Sequence, residues 1–326
     1  CIPQYPGNKN ESINTNQRHI KLCIPNTFYP WKFGTINIRT GNEKDDGYKM
    51  YSIAKEAAKA KLQVCCLQEV RYRNIGSKVI ALNNDESYTF FWSGQKKRRN
   101  AGVGILIKKN KDITFEEPDI RDPRVLAMNI QVKGFSIRLV NVYSPTNCDG
   151  SESQKDAFYR LVKKASVKQH KHQKLLVCGD FNATTAVSLK QTHFDGKNII
   201  EDPICNDNGT RLKSFCRESG LCMAQTYFNH EEEERFTWIS ANKTTKKVLD
   251  YILVEPFIQQ YINDCAVFLD FECDSDHRII ISEMLTPTTK KARWKQQEKS
   301  TVPKPDPKAL NEKETKKVFL SAVANE

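Results

Sequence analysis

Short apolar runs dominate this sequence, and several of them stop at an acid or an amide. A run of that length suits a strand rather than a helix, and one without alternation suits a strand buried on both faces. Leu62–Leu67 ends at Gln68-Glu69, and Lys174–Cys178 ends at Gly179-Asp180-Phe181-Asn182. Further strands are predicted at Phe33–Ile38, Tyr88–Trp92, Gly102–Lys108, Val125–Val132, Phe135–Tyr143, Leu221–Thr226, Phe236–Ile239, Val248–Val254, Cys265–Leu269 and Arg278–Met284. Helical periodicity is confined to Tyr48–Lys61, Ser151–Lys168 and Gly209–Glu218. So many strands with so few helices predict two packed mixed sheets flanked by helices in one α/β domain.

That domain is expected over 33–286. Residues 1–32 lack sustained periodicity and read as a poorly ordered lead-in, while 287–326 reads as a basic, Pro/Lys-rich linker or tail. The chain begins at Cys1 without a signal-peptide pattern, and reads as a fragment or as a translation whose true start is missing. Lys and Arg number 51 against 39 acids, a formal charge of +12, which favours a polyanionic partner. The tail holds ten Lys or Arg against five acids, so a surplus of +7 stays with the rest of the chain. No stretch approaches the roughly 20 apolar residues that a membrane-spanning helix needs. The 11 cysteines form no CxxC pair and several sit inside apolar runs, which predicts free buried thiols, a reducing nuclear or cytoplasmic setting and no closed zinc site.

Chemistry is expected at the polar ends of the buried strands, where α/β folds place ligands. Asn37, Gln68-Glu69, Asn141, Tyr143, Asp180 and Asn182 all stand there. Carboxylates and amides converging at such a place suit Mg²⁺ or Mn²⁺, which prefer oxygen ligands and leave room for a phosphate. Asp250 lies inside an otherwise apolar run, where a carboxylate is costly unless paired. Asp276-His277 opens the last apolar run. A buried acid with a histidine downstream predicts an orienting carboxylate that fixes the imidazole tautomer.

The order Asn37, Gln68-Glu69, Asn141-Val-Tyr143-Ser-Pro145, Gly179-Asp180-Phe-Asn182, Leu249-Asp250-Tyr251 and Ser275-Asp276-His277 resembles the endonuclease/exonuclease/phosphatase superfamily. That group includes exonuclease III-like AP endonucleases, DNase I and the endonucleases of non-LTR (LINE-type) retrotransposons. Thr35–Thr40, Cys66–Arg71 and Phe91–Gly94 with Ala101–Ile105 look most like the retrotransposon enzymes and the craniofacial-development-protein-2-like proteins. The resemblance covers about residues 33–286 and implies a DNase I-like four-layer α/β sandwich with its active site at one edge. It also implies roles. Glu69, helped by Asn37 and completed by Asp276, holds a divalent cation, Mg²⁺ with Mn²⁺ able to substitute. Asp180 activates the attacking water, Asn182 positions it, Asp250 holds His277 on the phosphoryl oxygen, and Tyr143 contacts the same phosphate or the leaving group.

Arg39 departs from the AP-endonuclease pattern, which commonly has an acid at that position. It fits the retrotransposon type and argues against abasic-site repair. Arg39, Arg71, Lys97, Arg98, Lys246 and Lys247 are the candidate DNA contacts, whereas Glu231–Glu234 reads as a solvated loop. Trp238 is expected to pack in the core.

The resulting expectation is a Mg²⁺-dependent, monomeric DNA endonuclease that nicks a duplex and leaves a 3′-hydroxyl, with a reverse transcriptase elsewhere in the parent element. Two alternatives stand beside it: a superfamily phosphodiesterase or phosphatase acting on RNA or a phospholipid head group, and a catalytically silent nucleic-acid-binding relic.

Overall fold

Many short strands can bury their apolar faces only by stacking as sheets. The structure, a computed structural model describing residues 28–41, 47–97, 101–133, 135–148, 151–185 and 204–287, does so with two seven-stranded sheets. The first contains β1 (Phe28–Asn37), β2 (Val64–Gln68), β3 (Ile75–Ala81), β4 (Ser87–Ser93) and β5 (Val103–Lys108). The second takes β6 (Ile113–Phe115), β7 (Ile120–Asp122), β8 (Val125–Val132), β9 (Phe135–Tyr143), β10 (Lys174–Asp180) and β11 (Cys222–Met223). A ribbon of β12 (Trp238–Ile239) and β13 (Lys246–Lys247) leads into β14 (Asp250–Val254) of the second sheet. Finally β15 (Ile262–Val267) and β16 (Ile280–Pro287) close the first. The strand orders are β15-β16-β1-β2-β5-β4-β3 and β11-β14-β10-β9-β8-β6, with β7 paired to β8. Helix α1 (Tyr48–Lys59) packs on the outside of the first sheet, and α2 (Glu152–Ala165) and α3 (Asp207–Ser219) on the outside of the second. The predicted four-layer DNase I-like sandwich is therefore the observed one.

Alternate residues of a strand serve opposite faces, and this rule builds the site. In β1, Trp31 and Phe33 face the core between the sheets, while Ile36 and Ile38 pack beneath Met50, Ile53 and Ala57 of α1. Likewise β2 sends Val64 and Cys66 inward, β9 Ile137 and Leu139, β10 Leu176 and Cys178, and β14 Ile252 and Val254. Steps of two residues along these same inward rows reach Asn37, Gln68, Asn141, Tyr143, Asp180 and Asp250. Register then brings the row ends together. Asn37 stands opposite Gln68, Tyr143 opposite Asp180, and Asp180 opposite Asp250.

The two sheets are fastened just behind this edge. Asn141 Nδ2 donates to the carbonyls of Leu67 (3.0 Å) and Gly104 (2.7 Å) on the facing sheet. Gln68 Nε2 donates back to Asn141 Oδ1 (2.7 Å) and to Thr35 Oγ1 (2.9 Å). All three side chains are buried, where such bonds face no competition from water. Gly179 serves the same approach. Its φ is +148°, and a Cβ there would stand 2.0 Å from the Val142 carbonyl oxygen.

Several predicted bounds move. The first strand begins at Phe28, inside the expected lead-in, because Tyr29 to Lys32 pair with Thr286 to Glu283 of β16. The predicted strand Leu221–Thr226 shrinks to Cys222–Met223 and turns into a 3-10 helix at Ala224–Tyr227. There the Gln225 amide bonds the backbone of Asp250 and Ile252, replacing strand pairing with a side chain. β3 escaped prediction: at the sheet's end it exposes Ile75 and Val79. Cysteines 65, 66, 178, 216, 222 and 265 are buried free thiols. No helix among the described residues is long and apolar enough to cross a membrane. Residues 1–27 and 288–326, most of the predicted lead-in and tail, lie outside the described residues.

Asn141→Ala removes a partner from Gln68 and from two carbonyls in a dry interior. It is expected to lower unfolding free energy by about 2–4 kcal/mol, read as a reduced urea midpoint at unchanged m-value. A loss below about 0.5 kcal/mol would show that the amide bridge is dispensable.

Candidate active site

Glu69 comes from the first sheet and Asp180 from the second, and one amide joins them. Asn37 Nδ2 donates to Glu69 Oε1 (3.0 Å) and to Asp180 Oδ2 (2.9 Å). The Asn37 carbonyl oxygen of the side chain accepts the Arg39 main-chain N–H at 2.9 Å. Tyr143 Oη donates to Glu69 Oε1 at 2.9 Å, and Arg71 grips Glu69 Oε2 through Nη2 (2.5 Å) and Nε (3.2 Å). Burial, with the charges of Glu69 and Asp180, pushes the Tyr143 hydroxyl far above its ordinary range, so it remains a proton donor.

Asp250 pairs with His277 on the other side of Asp180. His277 Nδ1 lies 2.9 Å from Asp250 Oδ2, and its Nε2 is turned to Asp180 Oδ2 at 4.0 Å. All three residues are buried. Burial acting alone would lower the imidazole; the Asp250 charge and hydrogen bond, with Asp180 and Asp276, outweigh it and hold His277 up at about 9. Burial pushes the Asp180 carboxyl up, the Asp250 charge adds to this, and its pKa is raised to about 7 despite His277, Asn37 and the Asn182 N–H. A carboxylate poised there can exchange a proton near neutral pH.

Four non-glycine residues at this edge adopt left-handed backbone: Arg39 (φ 56°), Glu69 (52°), Arg71 (54°) and Asn182 (48°). Such residues cost about 1–3 kcal/mol each and persist only where their surroundings fix them. For Asn182 the fixing groups are plain. Its carbonyl oxygen accepts the side-chain amides of Asn147 (3.1 Å), Asn206 (3.0 Å) and Asn208 (3.2 Å). Its own Nδ2 donates to the Ser144 carbonyl at 3.0 Å, and its main-chain N–H to Asp180 Oδ1 at 2.8 Å. Sequence reasoning missed these three asparagines, although two of them lead into the predicted third helix. Ser275 entered the sequence reading only as part of its motif, without a role; its hydroxyl donates to the Asn37 main-chain carbonyl (2.6 Å) and receives the His277 main-chain N–H (3.1 Å).

The remaining predicted residues are spread more widely. Asp276 accepts the Trp238 indole N–H at 3.0 Å and lies 3.6 Å from Arg39 Nε. Trp238 is thus half-buried and bridged to His277 rather than a core residue. Lys246 is held by Glu233 at 2.5 Å, so the acidic run forms ion pairs with Lys246 and Arg278. Lys247 is half-buried on β13 and Lys97 is exposed, whereas Arg98 lies outside the described residues.

The model of the Endonuclease/Exonuclease/phosphatase family matches residues 34–277 of this chain. The chain belongs to that family. Craniofacial development protein 2 of Tragulus javanicus is 24% identical over 250 residues, which cover 77% of this chain and 41% of that protein. The chain therefore spans about two fifths of the length of that curated relative. Among solved structures, the endonuclease domain of TRAS1, a telomere-specific non-LTR retrotransposon, is 18% identical with a TM-score of 0.53, covering 80% of this chain and all (100%) of that domain. The 3′ phosphatase NExo from Neisseria, bound to product DNA hairpin, is 21% identical with a TM-score of 0.54, covering 78% and 99%. These likenesses show the shared fold.

The Endonuclease/Exonuclease/phosphatase family depends on divalent metal, and the residues present fit one. Asp180, Asp250 and His277 offer ligand atoms within 4.8 Å of one another. Asp250 Oδ1 is buried without a hydrogen-bond partner, which leaves a carboxylate oxygen with unused acceptor capacity. The Glu69 and Asp180 carboxylates and Asp250 Oδ1 at this edge are oxygen donors, as a hard cation requires, while the charged His277 is left free to donate.

In the metal-free protein the His277 ring is expected to titrate near 9 by NMR, and Asp250→Asn to bring it down toward the ordinary imidazole range. The folded value lies above the unfolded value of about 6.5. The pair's stabilisation is therefore complete below that pH and lost as pH rises through about 9. A wild-type midpoint below 6 would contradict the charged pair.

Proposed function

We propose that this chain is a divalent-metal-dependent phosphodiesterase, a retrotransposon-type endonuclease that nicks duplex DNA and leaves a 3′-hydroxyl. The observation that carries the reading is Asp180, tied through Asn37 to Glu69 on one side and facing the Asp250-held His277 at 4.0 Å on the other. The net charge of +12 favours a polyanion, and the fold shared with the TRAS1 endonuclease domain favours DNA. With this reading go residues 33–286 as the catalytic domain, action as a monomer, a nuclear or cytoplasmic setting and a reverse transcriptase elsewhere in the parent element.

A bound Mg²⁺ or Mn²⁺ supplies Lewis-acid stabilisation of the phosphoryl oxygens, and Glu69, braced by Asn37, would hold it, with Asp276 completing the set. The chain's own groups do the rest. Asp180 takes the proton of the attacking water, which its near-neutral pKa suits. Asn182, fixed by its three asparagine neighbours, positions that water. His277, charged at neutral pH, turns Nε2–H toward the phosphoryl oxygen as negative charge builds, and Asp250 keeps its Nδ1 side occupied. Tyr143 offers its hydroxyl to the same phosphate.

The full chain is expected to nick supercoiled plasmid with Mg²⁺, and EDTA to abolish the reaction. Asp180→Asn and His277→Ala should each lower turnover by about 10³-fold or more while plasmid binding survives. Folded protein that binds plasmid and never nicks it with Mg²⁺ or Mn²⁺ would sink the endonuclease reading.

A further inference from the structure

An enzyme that cuts one phosphodiester must hold neighbouring phosphates still, and guanidinium groups do this with paired N–H donors. Several basic side chains near the site are already committed to carboxylates: Arg71 to Glu69, Arg39 to Asp276 and Lys246 to Glu233. Arg124 is not.

Arg124 immediately precedes β8, at the turn from β7. Its carbonyl oxygen receives the Tyr143 main-chain N–H at 2.8 Å, and Val125 pairs with Val142 beyond it. It therefore stands at the sheet edge that carries Tyr143 and, on the next strand, Asp180. The guanidinium carbon lies 5.0 Å from the centroid of the Tyr143 ring, and Nη1 donates to the Tyr143 carbonyl at 3.2 Å. The far end of that same ring bonds Glu69. Arg124 makes no ion pair among the described residues. One of the five N–H donors of a guanidinium is thus used, and among the described residues the remainder find no acceptor on a half-buried cation.

We propose that Arg124 binds a phosphate of the nucleic-acid strand next to the one being cut. The inference rests on the phosphodiesterase reading and adds a substrate-binding residue to it. Stacking on Tyr143 and the Nη1 bond hold the guanidinium plane before substrate arrives, so little side-chain freedom is lost on binding. A lysine would keep the charge and lose the planar stack and fork.

The test is equilibrium binding of a labelled DNA duplex to the full chain in EDTA, so that nothing is cut, across a range of salt. Arg124→Gln should flatten the slope of log affinity against log salt by about 0.9, the signature of one lost phosphate contact, and weaken binding about fivefold to tenfold near 0.1 M salt. Arg124→Lys should keep the slope. Disturbance of Tyr143 alone would alter turnover and leave the slope unchanged, so an unchanged slope with Arg124→Gln overturns this inference while leaving the phosphodiesterase reading intact. Wild-type protein that binds no duplex overturns both.

Discussion

The candidate site depends on a bond pattern that takes no part in chemistry. Asn141 reaches across the sandwich to two carbonyls of the facing sheet, and Gln68 answers it. Opposing sheets ordinarily meet through apolar side chains, which fix spacing well and sliding poorly. A directional amide bridge in a dry interior fixes both, because every shift breaks a bond that water cannot replace. Glu69 follows Gln68 directly, and Asp180 lies across β9 and β10 from Asn141 and Tyr143. The relative position of the two carboxylates is set a few ångströms behind them.

Given that frame, the electrostatics follow from burial. Asp180 and His277 share a volume where charge is poorly solvated, so the groups beside them decide their states. His277 settles as imidazolium against Asp250, and Asp180 beside it is left near the midpoint of its titration. Asn37 contributes no charge, yet it donates to Glu69 and Asp180 at once and moderates the cost of setting two carboxylates side by side.

The sequence revealed the strands and much of the site for one reason. A polar residue that ends an apolar run is visible without knowing what it meets. The bounds of β8 and β9 fall where the apolar runs predicted them, and Asp180, Asp250 and His277 offer polar atoms within 4.8 Å of one another. Features set by register or by distant partners were not legible. Asn37 and Asp180 lie 143 residues apart, and nothing local says that one amide will bridge Asp180 to Glu69. Asn141 looked like a strand end and is an inter-sheet tie. Nothing in the sequence sets Arg124 apart from other basic residues, and its distinction is that its guanidinium makes no ion pair among the described residues. The left-handed backbone at Glu69 and Asn182 is imposed by neighbours, since both residue types are at home in many other conformations.

The inward rows have a consequence for how this chain changes over generations. The rows of β10 and β14 are ordinary core until they end at Asp180 and Asp250, where an acid takes a place that an apolar or amide side chain would fill more comfortably. Burial and the Asp250 charge make the ionised form of Asp180 costly, so replacing it relieves the fold even as it removes the proton acceptor. A single substitution at Asp180 is therefore an easy route to a firmer sandwich without chemistry. Loss of chemistry at this edge is compatible with an intact fold.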